Sequence, residues 1–446
     1  MRVAVVGSGP SGMYATDALV EAGAHVDVFD RLPVPFGLVR YGVAPDHVSI
    51  RSVRDTLNQI WEKPGVRFLG NVNVGVDISV NELRGHYDAV ILTYGASSDR
   101  RLGIAGEDLP GSVAATDFVA WYTGHPEYQG PDFAAMLPEV RRVAVIGVGN
   151  VAVDVVRVLS KSADELSATD MPRAVLDVLA SAPIEQVILL GRRGPAQGSF
   201  TTKELKELGE LSEADIRVRG EDLQLDPVSA SEVESNKVAG RNVKVIAEWA
   251  GREPRADAVR HIDVRFFSRP IRLTGTDSVE GIEIERTELD ESGSVIGTGE
   301  SEILPVDMVV RSVGYRGTPM PGVPFDSRNN VIPNEDGRVI DDSAPLPGLY
   351  VAGWIKRGPT GIIGTNKKCA VGTVAALLED FDSGILTPTP EPDGAIDDLL
   401  ADRGVEVVSI AGWHAVDAAE RALGAAENRD RVTIEDRSQL LRVATA

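Results

Sequence analysis

The stretch Arg2-Val3-Ala4-Val5-Val6-Gly7-Ser8-Gly9-Pro10-Ser11-Gly12 decides how this chain is read. Val3 to Val6 form a short apolar run, the pattern of a parallel strand buried on both faces. The run breaks into three spaced glycines and then into a helical pattern, Met13 to Ala22. Gly7 permits a sharp turn, Gly9 leaves no side chain to hold a pyrophosphate off the backbone, and Gly12 lets the helix pack closely on the strand. The helix N-terminus then presents partial positive charge to the phosphates. A GxGxxG alone is weak evidence. Here it follows a strand, opens a helix, and precedes a second strand, Val26 to Phe29, that ends in Asp30. An acid there is placed to accept hydrogen bonds from a ribose. The spacing predicts a dinucleotide site.

A second unit of the same kind begins at Arg141. Val143 to Ile146 read as a strand, Gly147-Val148-Gly149-Asn150-Val151-Ala152 as the turn, and the following residues through Leu159 as a helix. The third glycine is replaced by Ala152. The next strand, Val187 to Leu190, is delayed by a helical insertion near Met171 to Ala180. It ends in Gly191-Arg192-Arg193 rather than in an acid. A carboxylate at that position would repel a 2′-phosphate, whereas two guanidiniums can grip it with charge-assisted bonds. The second site therefore reads as specific for NADP(H).

With 446 residues the chain has room for two or three domains. No apolar run approaches the ~18 residues that span a bilayer, and the first strand starts so near Met1 that no leader is expected. Cys369 is the one cysteine. That excludes an internal disulfide, a CxxC redox pair and an iron–sulfur cluster held by this chain's own thiolates, and it points to the cytoplasm. The net charge of −22 argues against nucleic acid and anionic membranes as partners. The six histidines, His25, His47, His86, His125, His261 and His414, lack metal-ligand spacing.

Between Arg31 and His47 lie three prolines and two glycines, which preclude a regular helix or central strand. A long loop with aromatic, basic and imidazole groups beside a cofactor strand is expected to form part of the site. A helix is predicted over Ser49 to Trp61, with strands at Val66–Phe68, Val72–Val74 and Ala89–Tyr94. The last ends at Gly95-Ala96, a second place where backbone can approach a flat ligand. Short strands are predicted at Val243–Ala247, His261–Phe267 and Gly281–Glu285, and a longer one over Val306–Tyr315. Gly348 to Trp354 then reads as a strand resuming the first sheet. A glycine-rich loop through Asn366 feeds a helix over Lys367–Glu379 and offers another backbone cradle. Thr387 to Pro392 reads as an extended linker, and the acidic tail from Ala395 to Arg442 as helical pieces.

Four segments in order, Leu32 to His47, Gly147 to Ala152, Gly191 to Pro195 and Gly353 to Gly361, resemble those of the adrenodoxin-reductase-type ferredoxin–NADP reductases, the bacterial members above all. The resemblance runs from Met1 to about Glu379 and thins in the acidic tail. It implies two doubly wound, three-layer α/β nucleotide-binding domains of the glutathione-reductase-like kind. The FAD domain would be discontinuous, 1–100 and 319–446 with an acidic extension from about 387, and the NADP domain, 101–318, inserted into it. It also implies FAD and NADP(H) as cofactors and a ferredoxin-type iron–sulfur protein as electron acceptor.

Carried over by position, Gly7, Gly9, Pro10, Gly12, Asp30, Arg31, Gly37, Leu38, Gly95, Ala96, Gly353, Trp354, Gly361 and Ile362 would hold FAD. The family usually has Glu where this chain has Asp30. Gly149, Asn150, Val151, Arg192, Arg193 and Glu204 would hold NADP, with Trp354 and Gly361 near its nicotinamide. His47, Glu207 and Trp354 would sit beside the reacting rings and orient them. The family suggests a monomer. A competing reading is an NADPH-oxidising feeder subunit of a larger redox enzyme, as in the glutamate synthase small subunit, but such chains generally carry an N-terminal cysteine-rich segment that this one lacks.

An acidic partner for an acidic chain needs a local basic patch. The candidates are Arg40, Arg51 and Arg54, then Lys237, Arg241 and Lys244, then Lys356, Arg357, Lys367 and Lys368.

Overall fold

The computed structural model describes the chain except Ile362, Pro390 and Asp393, and except the side chains of Val48 and Ser49. It divides into two units. The first comprises Met1–Ser98, Thr123–Glu127 and Tyr315–Ala446, and the second Asp99–Tyr122 and Tyr128–Gly314.

The first unit is built on strand β1 (Arg2–Val6), helix α1 (Pro10–Glu21), and strands β2 (His25–Asp30), β3 (Val66–Gly70) and β4 (Ala89–Leu92). Val3, Ala4 and Val5 are fully buried, as a central strand covered on both faces requires. β1 pairs in parallel with β2, Val5 opposite Val28, and with β4, Val5 opposite Ile91. β3 extends the sheet beyond β2. The late strand Ala344–Val351 joins β4 in parallel, and the antiparallel strands Arg338–Asp341 and Asn334–Glu335 close that edge.

Several expectations need correcting here. Val72 and Val74 are buried but do not form a strand: Asn71 takes a φ of +60° and Val74 makes one bridge, to Ile78. The helix expected over Ser49–Trp61 is three short pieces, Val48–Arg51, Val53–Asn58 and Gln59–Glu62. The 31–47 loop contains one helical turn, Leu38–Tyr41. The linker is anchored, with the Thr389 amide donating to Asp88 at 2.8 Å.

The acidic tail is part of this unit's core. Its helices are Ala395–Asp402, Ile410–Ala426 and Arg437–Ala444. Trp413, Val416 and Leu440 are buried in the cluster that holds Phe36, Val26 and Val28. Val408 exchanges backbone hydrogen bonds with Gly70 at 2.8 and 2.9 Å, so the tail caps the edge of β3. The excursion Thr123–Glu127 also belongs here: Thr123 Oγ1 donates to the Tyr41 carbonyl at 3.2 Å, and His125 lies 4.8 Å from the Tyr41 ring.

The second unit has a six-stranded, all-parallel sheet. Its order is Ser112–Ala114, Met308–Arg311, Arg142–Ile146, Gln186–Leu190, Arg260–Arg265, Ala214–Val218. Helix Asn150–Ser160 is buried from Ala152 to its end, and helix Arg173–Ser181 is the predicted insertion. A three-stranded antiparallel sheet, Ser268–Thr274, Gly281–Leu289 and Val295–Pro305, covers the other face through Leu273, Ile282, Ile284 and Leu304. The strand expected at Val243–Ala247 is helix, Lys237–Ala250. Its buried positions, Ala239, Asn242, Val245, Ile246 and Trp249, recur at helical spacing, which outweighs the local β-branched run.

Candidate nucleotide-binding sites

In the first cradle Gly7 has a φ of +106°. A Cβ on Gly12 would lie 1.9 Å from the Gly7 carbonyl oxygen and 2.8 Å from Thr93 Oγ1, so only glycine permits this helix–strand contact. A Cβ on Gly9 would meet nothing within 4 Å. Helix α1 starts at Pro10 with no side-chain cap and no acid in its first turn. Several other helices, though not all, are closed by the side chains of Ser79, Ser162, Thr201 and Asp226. An N-terminus left uncapped beside open space is what a bound phosphate requires.

Asp30 stands at the C-terminal end of β2 and braces the turn. Its Oδ2 accepts from the Ser8 amide at 2.9 Å and from the Ser8 hydroxyl, and its Oδ1 accepts from the Leu32 amide at 2.9 Å. Phe36 and Gly37 both have positive φ, and the Phe36 amide donates to the Ser8 carbonyl at 3.2 Å. A Cβ on Gly37 would sit 3.3 Å from Gly9 Cα, so the loop folds directly over the glycine turn. Leu38 starts the helical turn that follows. The Arg31 side chain is drawn away to Glu127, at 3.1 Å.

Gly95, at φ +79°, faces open space beside buried Ala96. Gly353, also at φ +79°, would carry a Cβ 2.8 Å from Ser11, which brings the late strand's turn onto α1. The Trp354 ring packs against Tyr315, centroids 5.5 Å apart and planes tilted by 45°. Trp354 Nε1 and Ser11 Oγ are buried with no hydrogen-bond partner among the described residues. Those orphaned polar atoms and the unfilled space at Gly9 fit a bound FAD. Gly361 opens the helix Ile363–Asp382, and Ile362 lies outside the described residues. Cys369 accepts a hydrogen bond from the Gly353 amide at 3.3 Å and packs against the core.

The second cradle repeats the design. Gly147 has a φ of +129°, and its Cβ would lie 2.1 Å from the Ser312 carbonyl. Gly149 caps the helix by backbone alone, again with no acid in the first turn. Asn150 accepts from the Thr201 amide at 2.8 Å, and the Ser199 amide donates to the Val148 carbonyl at 2.8 Å, which fixes the turn around Val151.

Arg192 and Arg193 are exposed, and their side chains make no hydrogen bond or ion pair among the described residues. Their backbones are held: Arg192 accepts from Thr287 Oγ1 at 2.9 Å and Arg193 from the Phe267 amide at 3.1 Å. Two placed, uncommitted guanidiniums fit a 2′-phosphate. Glu204 is buried on helix Thr202–Leu208, and Glu207, on the same helix, faces Lys203 at 3.8 Å. His47 is buried in the first unit, its amide bonded to the Ala44 carbonyl at 3.0 Å.

One group of proposed docking cations is overturned. Arg40, Arg51 and Arg54 are buried. Arg40 is clasped by Glu420, and Arg51 donates to the Val43 and Arg40 carbonyls. Burial pulls the Arg40 pKa down, but Glu420 and Tyr41 more than reverse this and hold it above its ordinary value. Lys356 and Arg357 are also engaged, with Thr373 and Asn366. Lys237, Arg241 and Lys244 stay exposed along one helix, as do Lys367 and Lys368.

Residues 1–189 match the family model described as pyridine nucleotide-disulphide oxidoreductase. The NADPH-ferredoxin reductase FprA of Mycobacterium tuberculosis (strain ATCC 25618 / H37Rv) is 44% identical over 460 residues, which span 99% of this chain and 98% of the relative. The mitochondrial NADPH:adrenodoxin oxidoreductase of Arabidopsis thaliana is 38% identical, over 98% and 94%. This chain belongs to the adrenodoxin-reductase-type ferredoxin–NADP reductases. The structure of M. tuberculosis FprA in complex with NADPH superimposes with a TM-score of 0.92 at 43% identity, covering 100% of this chain and 99% of that one. The fold is thus that of a glutathione-reductase-like two-domain α/β flavoprotein. Among the described residues no helix is long and apolar enough to cross a membrane.

Proposed function

We propose that this protein is an NADPH-dependent ferredoxin reductase, drawing electrons from NADPH and delivering them to a ferredoxin-type iron–sulfur protein. The observation that carries the reading is the pair of uncapped helix N-termini on glycine turns, one followed by Asp30 and the other by Arg192 and Arg193. FAD, when bound, supplies a ring that accepts a hydride and gives up electrons singly.

The chain's own part is to bind, orient and exclude water. In this reading Gly7, Gly9, Pro10 and Gly12 leave room for the FAD pyrophosphate. Asp30 keeps the Ser8 turn in place and its remaining lone pairs face a ribose. Gly37 and Leu38 close over the turn, while Gly95, Ala96, Gly353, Trp354, Gly361 and Ile362 supply backbone and an indole to the flavin end. Gly149, Asn150 and Val151 hold the NADPH pyrophosphate, and Arg192, Arg193 and Glu204 its adenosine end. Trp354 and Gly361 serve the nicotinamide, with His47 and Glu207 as orienting groups. Arg31, spent on Glu127, contributes only its backbone.

The acceptor would dock on Lys237, Arg241 and Lys244 or on Lys367 and Lys368, a local positive surface on a negative body. Action as a monomer belongs to the same reading, as does the cytoplasm, where a lone thiol stays reduced.

Anaerobic titration of the yellow protein with NADPH, and separately with NADH, followed by candidate ferredoxins, tests it. Bleaching of the flavin by NADPH well ahead of NADH, then recolouring on adding ferredoxin, is expected. A colourless protein, or equal response to both nucleotides, would overturn the assignment.

A further inference from the structure

We propose that the C-terminal helices brace the first cradle and that Glu420 is the positioning residue at the centre of that brace; this rests on reading the cradle as the flavin site. The part of the cradle least able to hold itself is the segment after β2. Phe36 sits at φ +84°, a conformation that a bulky L-residue keeps only when its surroundings impose it. Gly37, next to it, lies against Gly9.

The surroundings that impose this geometry include Trp61, 6.5 Å from the Phe36 ring, and, from the tail, a larger set of groups. The Trp413 ring meets Phe36 edge-on at 5.6 Å, and its Nε1 donates to Asn58 at 2.9 Å. Arg40, four residues after Phe36, is 1% exposed, and its guanidinium lies 5.6 Å from the Trp413 ring. Glu420, at 0% exposure, accepts from Arg40 Nη1 at 3.0 Å and also from Arg40 Nη2. The same carboxylate accepts from Arg431 Nη1 at 3.2 Å and from the Ile434 amide at 2.9 Å. One buried carboxylate thus bridges two buried guanidiniums, one from the loop and one from the tail, and Asp417 at 2.6 Å supplies the second negative charge to Arg431. At the loop's other end Arg437 donates to the Arg31 carbonyl at 2.9 Å and to Glu127 at 2.8 Å. Removing a partner from such a buried cluster leaves charge uncompensated, so the loop must move to relieve it.

A merely stabilising cluster would lower the melting temperature and leave the cradle's grip on its ligand unchanged in the folded molecules. A brace would loosen that grip. The experiment uses the full-length holoprotein and three variants: Glu420→Gln, Arg437→Gln, and Leu423→Gln on the exposed side of the Glu420 helix. The readouts are the FAD release rate, the visible circular dichroism of bound flavin, the folded fraction, and KM for NADPH at saturating FAD.

The first two variants are expected to release FAD about tenfold or more faster, with altered flavin dichroism. Added FAD should restore turnover with KM unchanged, and Leu423→Gln should match the parent. Arg437 is only partly buried, so its variant decides the matter should Glu420→Gln not fold. Release at the parent rate, or loss only in proportion to the unfolded fraction, would overturn the brace. A parent protein that holds no flavin would instead overturn the reading of the cradle.

Discussion

Two substitutions of the same kind, three residues apart, should have opposite consequences. At Gly9 the backbone lies at φ −68° and ψ 179°, ordinary values for any residue, and a Cβ would touch nothing. Gly9→Ala gains about 0.4–1 kcal/mol by restricting the unfolded chain. It loses a similar amount because alanine is a poorer N-cap than glycine. The apoprotein's stability should therefore change by less than ~0.5 kcal/mol. The added methyl group, however, fills the space assigned to the pyrophosphate. A hydrogen bond to a charged group contributes about 1.5–3 kcal/mol. Losing two amide–phosphate bonds then weakens FAD by about 3–6 kcal/mol, or roughly 10²- to 10⁴-fold. At Gly12 the balance inverts: the Cβ would lie 1.9 Å from a backbone oxygen that cannot rotate away. Overpacking of that severity costs about 3 kcal/mol or more. Thermal unfolding of the apoproteins, with FAD titration by flavin fluorescence, reads both quantities. A Gly9→Ala protein that stays yellow with parental affinity would refute the argument, as would one whose apoprotein melts as low as Gly12→Ala.

Replacing Arg192 and Arg193 by alanine should raise KM for NADPH about tenfold or more while leaving KM for NADH nearly unchanged, since each charge-assisted bond is worth about 1.5–3 kcal/mol; equal effects in steady-state kinetics would remove the 2′-phosphate role. Lys244→Glu should slow ferredoxin reduction, and the parental rate should fall as salt rises; a flat stopped-flow salt profile would count against the basic docking surface. His125 is held neutral: burial, then Arg31, Arg40 and Arg437, push its pKa down to about 4. The unfolded chain binds this proton more readily, so stability is fully present above the unfolded value near 6.5 and declines as pH falls towards 4, by up to about 1.4 kcal/mol per pH unit. Urea unfolding of the parent and of His125→Gln between pH 7.5 and 4.5 checks this, because the variant should lose that component of the slope.

What could be read in advance was local and periodic. The two glycine turns, the Asp30 and Arg192–Arg193 endings and the strands feeding them show as short spacings and apolar runs in the chain, although the bonds that hold them reach further, as Ser8 to Asp30 does. Val243–Ala247 misled because a short β-branched run is ambiguous by itself; the pattern from Ala239 to Trp249 carried the helical signal. Arg40 and Arg51 looked like surface cations because their partners, Glu420 and backbone carbonyls, are distant in sequence or carry no side-chain signature. The tail read only as acidic helical pieces for the same reason. Nothing near Glu420 in the chain announces that it is buried against arginines.

The short excursion Thr123–Glu127 has a practical bearing on engineering. The polypeptide changes unit four times, after Ser98, Tyr122, Glu127 and Gly314. Grafting a foreign nicotinamide module between Ser98 and Tyr315 would therefore carry off His125 and Glu127, stripping Arg31 and Arg437 of their carboxylate. A chimera that switches coenzyme preference should keep those five residues from the host.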